Sequence, residues 1–105
     1  IYIDEKIINY IVNIVFATRM PAAYGLKQLV PLIHYGVSPR ATLALHHAAR
    51  AHAFLKQRHF VTPDDVKLVC QPILRHRLIL TYEAEAEGKT SDDIIKTILA
   101  TVPAP

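Results

Sequence analysis

Arg40 is the residue of this chain whose position most invites chemistry. It follows Ser38 and Pro39, a pair that signals a helix start, because the serine hydroxyl can cap a free N–H and proline at the first helical position loses no hydrogen bond. The helix dipole mildly disfavours a cation in the first turn. Two interpretations of Arg40 stay open: it is a solvated surface cation, or its guanidinium and the helix N-terminus together bind anionic phosphate oxygens.

Four histidines in the same region could in principle bind a metal: His46, His47, His52 and His59. A two-histidine site on a helix needs a spacing of about three or four residues, whereas these four are separated by one, five and seven. No cysteine or carboxylate completes a ligand set. We therefore predict no metal site and interpret them as ordinary amphipathic histidines.

The elements that would carry these residues are mainly helical. Capping residues and apolar periodicity predict four helices: from Asp4 to about Arg19, from Pro39 to about Lys56, from Thr62 and Pro63 until Pro72 interrupts it, and from Thr90 or Ser91 to about Ala100. Prolines and glycines between the first two predict connecting chain, with one short helical turn over Leu26 to Leu29.

Strand signals are sparse. Alternating apolar residues from Leu78 to Tyr82 predict a short strand, for which Phe60-Val61 is the expected partner. The acidic stretch from Glu83 to Lys89 is predicted to be a solvated loop. The expected fold is therefore mainly α, a small bundle of about four helices with room for a short two-stranded β ladder.

Periodicity also predicts which helix faces point inward. On the first helix the inward set is Ile8, Ile11, Val12 and Val15, joined on one flank by Ile7, Ile14 and Phe16, so cover is expected on more than one flank. The residues predicted to face outward are Lys6, Asn9, Tyr10 and Asn13. On the second helix the inward set is Ala41, Ala44, Leu45, Ala48, Ala51 and Leu55. An adjacent face carries Arg40, Leu43, His47 and Arg50, and we expect it to turn toward a nucleotide or a neighbouring subunit. Arg58 lies outside that face.

Composition limits the class of protein. At 105 residues the chain is long enough for one domain, and 51% hydrophobic against 20% charged residues is a globular composition. A formal charge of +3 without a basic block makes nucleic-acid binding an unfavoured function. The lone Cys70 is predicted to be a small buried thiol in a reducing, cytoplasmic setting. No apolar run is long enough for a membrane span, and no signal peptide is evident.

Four motifs in register resemble those of one known family. They are Gly36-Val37-Ser38-Pro39-Arg40-Ala41, Ala48-Ala49-Arg50-Ala51, Phe60-Val61-Thr62-Pro63-Asp64-Asp65-Val66 and Leu74-Arg75-His76-Arg77. Together they are similar to the C-terminal lid subdomain of MoxR-type AAA+ ATPases, from about Ile3 to Pro103. The resemblance implies that residues 1–105 are one lid subdomain, excised from a longer ATPase.

The resemblance also assigns roles. It implies that Arg40 is the sensor 2 arginine, which reaches the nucleotide phosphates and acts only with the missing core, and that Ser38 lies beside it in ATP binding. The parent protein would use ATP and Mg²⁺, whereas this chain, which lacks a Gly-x-x-x-x-Gly-Lys-Ser/Thr loop, would bind neither alone. Implied partners are the N-terminal AAA+ core, neighbouring subunits of a homo-oligomeric ring and a client protein for chaperone-like remodelling.

One alternative from a different class stays open. A free-standing helical module that binds protein or DNA explains the helical periodicity equally well. It does not explain why the four motifs occur together in this order and spacing. A phosphate-binding loop encoded upstream of Ile1 would decide for the ATPase.

Overall fold

Helix-start signals in the sequence coincide with the helices of the computed structural model, which describes residues 1–105. The five helices are α1 (Glu5–Arg19), α2 (Ala41–Leu55), α3 (Pro63–Leu74), α4 (Tyr82–Ala86) and α5 (Ser91–Thr101). Asp4 precedes α1, and capping boxes built by Thr62 with Asp65 and by Thr90 with Asp93 begin α3 and α5. The predicted mainly α fold is confirmed.

The connection between α1 and α2 contains more structure than its prolines and glycines predict. Two 3₁₀ turns, Pro21–Tyr24 and Lys27–Leu29, are joined through Gly25, whose φ of 73° is left-handed. The second turn corresponds to the short helical turn predicted over Leu26 to Leu29. A strand, β1 (Ile33–Tyr35), follows and was not predicted.

The two-stranded ladder exists, but its predicted partner strand is wrong. β2 (Ile79–Leu80) pairs antiparallel with β1, with Ile33 opposite Leu80. Phe60 instead forms a single parallel bridge with Tyr2. Phe60 lies just before α3 and β2 follows its far end, and a helix of that length spans about 18 Å. The two segments therefore lie too far apart to pair.

Two further predictions are wrong: that the acidic stretch is a loop, and that Pro72 interrupts α3. The acidic stretch is not entirely a loop, because α4 forms within it: the Thr81 hydroxyl accepts the Ala84 N–H at 3.2 Å, and Ala84 is completely buried. Pro72 does not interrupt α3, which continues to Leu74. Proline removes one N–H donor there, but the buried Cys70 and Leu74 on either side keep the helix packed on the core.

A single apolar core joins α1, α2, α3 and α5 with the connecting segments. On α1 the buried face is rotated from the predicted one, since Tyr10 is 2% exposed and Ile8 is 38% exposed. On α2 the buried residues recur every fourth position: Ala41, Leu45, Ala49 and Ala53. Ala51 and Leu55, predicted to be inward, face solvent. The small side chains of the buried alanines let α3 pack closely against α2, and Cys70 is buried as predicted.

Candidate functional site

The residues that lead into α2 are fastened to the last turn of α1. The Val37 N–H donates to the Thr18 hydroxyl at 3.0 Å, and the Arg19 guanidinium donates to the Val37 carbonyl at 3.1 Å. Val37 itself is completely buried. The backbone just before Ser38 is thus held through both its N–H and its carbonyl.

Gly36 permits this close approach of the two segments. A Cβ at this position would lie 2.5 Å from the Thr18 carbonyl oxygen and 2.7 Å from the Arg19 Cα. Both atoms are backbone, so they cannot move aside as a flexible side chain would. A glycine is therefore required for the Ser38-Pro39-Arg40 segment to sit where it does.

The start of α2 uses its own N–H groups within the chain. Regular helix begins at Ala41, two residues after the predicted start, and Pro39 and Arg40 form a turn before it. The Arg40 N–H donates to the Ser38 hydroxyl at 3.2 Å, so the serine caps an N–H of this turn, whereas the residue at the N-cap of α2 itself is Arg40. The N–H groups of Ala41, Thr42 and Leu43 donate to the carbonyls of Ser38, Pro39 and Arg40. Because these donors are occupied, an anion here would depend mainly on the Arg40 side chain.

The Arg40 side chain is free to bind such an anion. It is exposed and makes no hydrogen bond or ion pair within the chain. By contrast, Arg58 pairs with Asp65, and Arg75 pairs with Asp92 at 2.9 Å. The structure therefore leaves the Arg40 guanidinium unpaired beside Ser38, and a guanidinium in that state is able to bind an anion.

Sequence reasoning missed a polar cluster at the other end of α2. The Asp65 carboxylate is completely buried and lies 2.6 Å from both Arg58 Nη2 and His52 Nδ1, and it accepts the Thr62 N–H at 2.7 Å. Burial alone would raise the pKa of Asp65, but the hydrogen bonds from Arg58, Thr62 and His52 outweigh it and hold that pKa well below its ordinary value. This cluster fastens the end of α2 to the start of α3.

The remaining histidines do not gather around a common centre. His46 and His47 have ring centroids 5.8 Å apart and meet edge to face, while His52 is committed to Asp65. No group of three or more histidine, cysteine or acidic side chains is arranged to hold a metal ion.

Two other surfaces named from the sequence are resolved by the structure. In the basic stretch after α3, Arg75 pairs with Asp92, Arg77 donates to the Ile73 carbonyl, and His76 is exposed. His34 and Tyr35 are both exposed, and their rings lie against each other at a tilt of 55°, with centroids 4.3 Å apart. None of the helices has the length and apolar character that a membrane crossing requires.

Comparisons with known proteins agree with this architecture. The family model described as AAA lid domain matches residues 30–98. Chaperone MoxR1 of Mycobacterium tuberculosis is 38% identical over 104 residues, which are 99% of this chain and 28% of that protein. Protein MoxR of Paracoccus denitrificans is 38% identical over 103 residues, which are 92% of this chain and 30% of that protein.

A solved structure shares the fold in detail. The crystal structure of a proposed ATPase from Cytophaga hutchinsonii superposes with a TM-score of 0.94 at 48% identity, covering 98% of this chain and 31% of that one. The chain thus spans less than a third of the length of these relatives. It belongs to the AAA lid domain family.

Proposed function

We propose that residues 1–105 are the lid subdomain of a longer MoxR-type AAA+ ATPase, in which Arg40 is the sensor 2 arginine. The observation that carries this proposal is the state of Arg40: an exposed guanidinium without a partner, next to a segment that Thr18, Arg19 and Gly36 hold in place. The backbone that precedes Arg40 is already fixed, so only the side chain has to become ordered when a ligand from another subdomain binds.

The ligand we assign to it is the terminal phosphate of ATP, bound with Mg²⁺ by the core of the parent protein. ATP supplies the phosphoanhydride bond whose cleavage drives the parent's work. The planar guanidinium of Arg40 can donate two hydrogen bonds to phosphate oxygens. The Ser38 oxygen already accepts the Arg40 N–H, and its own O–H is left to donate to a phosphate. Because this chain lacks a phosphate-binding loop, we expect it not to hydrolyse ATP alone.

The same geometry suggests how nucleotide state reaches the rest of the lid. α2 is fastened to α1 before its first turn and to α3 after its last, so a displacement at Arg40 moves all three helices together. Rotation of the lid as one body would be the mechanical output, with a size set by its differential affinity for the ATP and ADP states. In this proposal the parent is a homo-oligomeric ring whose lids couple hydrolysis to chaperone-like remodelling of a client protein.

The test is the Arg40→Ala variant of the intact parent protein. Loss of a preorganised donor to developing phosphate charge should lower ATP turnover by roughly 10²–10³-fold, with a smaller effect on ATP binding. Lys67→Ala, which removes an exposed cation from α3, is the matched control for net charge and should keep wild-type turnover. Wild-type hydrolysis by a folded Arg40→Ala parent would refute the assignment of Arg40.

A further inference from the structure

The solvent side of α2 carries a row of residues of which three are exposed and one, Arg50, is half-buried. We call Leu43, His47, Arg50 and Phe54 the outer seam; they are separated by four, three and four positions. Leu43 is 63% exposed and Phe54 is 68% exposed, although both are large and apolar. Spacing of this kind places side chains in the line along which two α-helices pack against each other.

Surface concavities flank the outer seam on both sides. One of about 250 Å³ lies between α1 and α2 and is lined by Ile8, Leu43 and His47 among others. A second of about 380 Å³ lies further along α2 and is lined by His47, Arg50 and Phe54 among others. Each concavity is large enough to take apolar side chains from a packed partner, so the seam offers holes as well as knobs.

Arg50 is the residue of the outer seam that lacks a hydrogen-bond acceptor. Its Nε is buried and has no hydrogen-bond partner, and its guanidinium forms no ion pair. From Ser38 to Val61 the sequence has no aspartate or glutamate to supply one. Burial, followed by the charges of Arg50 and His47, lowers the pKa of the neighbouring His46. A buried donor without an acceptor is costly, so an acceptor from outside the chain would be favoured.

We propose that the outer seam binds an amphipathic α-helix from outside this chain, which places a carboxylate against Arg50 and apolar side chains against Leu43 and Phe54. The spacing of the outer seam matches the packing of a second α-helix, and the unpaired Arg50 guanidinium favours a negatively charged residue on that helix. Nucleic acid is a poorer occupant, because it would need several phosphate contacts and the seam offers one unpaired arginine between large apolar residues. Arg40 lies three residues before Leu43 on the same face, but the proposal uses none of its contacts, and the experiment below does not depend on its role.

The experiment uses this chain and two synthetic helical peptides that differ in one position. Both carry leucines at seam spacing; one has a central glutamate and the other has lysine there. Fluorescence anisotropy should show saturable binding of the glutamate peptide, roughly tenfold or more tighter than binding of the lysine peptide, since a charge-assisted hydrogen bond is gained. Arg50→Gln should abolish this preference, and Phe54→Asp should weaken binding of both peptides.

Matched controls separate the seam from general stickiness and from misfolding. Leu68→Asp changes an exposed leucine of α3, outside the seam, and should leave binding unchanged. Because Phe54 is exposed, Phe54→Asp should keep the wild-type circular dichroism spectrum and melting temperature.

Four results would overturn the proposal. They are equal affinity for the two peptides, no saturable binding of either, self-association of the wild-type chain that Phe54→Asp reverses, and binding of a single-stranded oligonucleotide that Arg50→Gln abolishes. The third would assign the seam to a second copy of this chain, and the fourth would assign it to nucleic acid.

Discussion

Arg58 donates two hydrogen bonds to the completely buried carboxylate of Asp65, from Nη1 to Oδ2 at 2.7 Å and from Nη2 to Oδ1 at 2.6 Å. Asp65 is also the residue that accepts the Thr62 N–H in the first turn of α3. One carboxylate therefore completes a helix cap and an ion pair at once. Since Arg58 follows α2, this contact fixes the angle between the two helices that pack most extensively.

Asp65→Ala should lower the free energy of unfolding by about 1.5–3 kcal/mol, because it removes the charge-assisted hydrogen bonds with Arg58, His52 and the Thr62 N–H, while the partly exposed Arg58 and His52 can be hydrated instead. Urea denaturation followed by circular dichroism measures this change. Asp64→Ala is the matched control: it removes an exposed acid from the same helical turn and should cost about 1 kcal/mol or less. Equal losses in the two variants would show that the helix dipole, and not the ion pair, accounts for the effect.

Acid should remove the stabilisation that Asp65 provides. Its pKa is held below the ordinary value of 3.8 in the folded chain, so the unfolded chain takes up a proton first as the pH falls. The contribution is therefore complete above pH 3.8 and declines toward the lower folded-state pKa. Urea midpoints of the wild type and of Asp65→Asn should differ at pH 7 and converge as the pH drops below that value.

The carboxylate of Asp93 should also lose its stabilising effect in acid, and it serves as the comparison for Asp65. Hydrogen bonds from the Thr90 N–H and hydroxyl hold the pKa of Asp93 below its ordinary value, but Asp93 is exposed. Asp93→Asn should therefore reduce the acid sensitivity less than Asp65→Asn does. A wild type whose advantage over Asp65→Asn is the same at pH 7 and in acid would contradict the assignment.

The sequence predicts the local features of this fold better than its long-range ones. Helix starts at Thr62 and Thr90 are encoded within four residues each, and both are confirmed. The partner of β2 depends on where α3 carries the chain, which periodicity does not report, so Phe60-Val61 was chosen and β1 was missed. The outward prediction for Tyr10 failed for a similar reason: several elements cover α1, and the buried arc is wider than one stripe.

For the candidate site, too, the sequence predicts local features better than long-range contacts. The cap by Ser38 and the exposed face of α2 follow from residues close in sequence, and the resemblance to known lids supplies the role proposed for Arg40. The sequence alone does not show that Arg58 forms an ion pair. Its partner Asp65 lies seven residues later, in a capping motif that already accounts for an aspartate at that position. Replacing Arg58 would break this ion pair, so Lys67, and not Arg58, is the charge control for Arg40.

Gly36→Ala should disturb the position of Arg40 without touching its chemistry. The added Cβ would meet backbone atoms of Thr18 and Arg19 at 2.5 and 2.7 Å, and relief of such overpacking typically costs about 1–3 kcal/mol. In the parent protein, ATP turnover should fall while the guanidinium is still present. Gly88→Ala is the comparison for stability alone: its Cβ meets nothing within 4 Å, but the left-handed φ of 72° strains any residue with a Cβ, so stability should fall while turnover stays unchanged. A Gly36→Ala parent with unchanged stability and turnover would show that the fastening to α1 does not position Arg40.

Arg40→Lys in the parent protein tests whether geometry matters in addition to charge. Lysine keeps the positive charge, but it is a single point of charge and lacks the planar fork that donates two parallel hydrogen bonds to phosphate oxygens. We therefore expect turnover to remain roughly tenfold or more below the wild type while exceeding that of Arg40→Ala, a difference of about 1.4 kcal/mol in activation free energy. Lys67→Arg, the reverse exchange on the exposed side of α3, should leave turnover unchanged. Full activity of the Arg40→Lys parent would mean that charge alone suffices, and the two-point contact would then have to be abandoned.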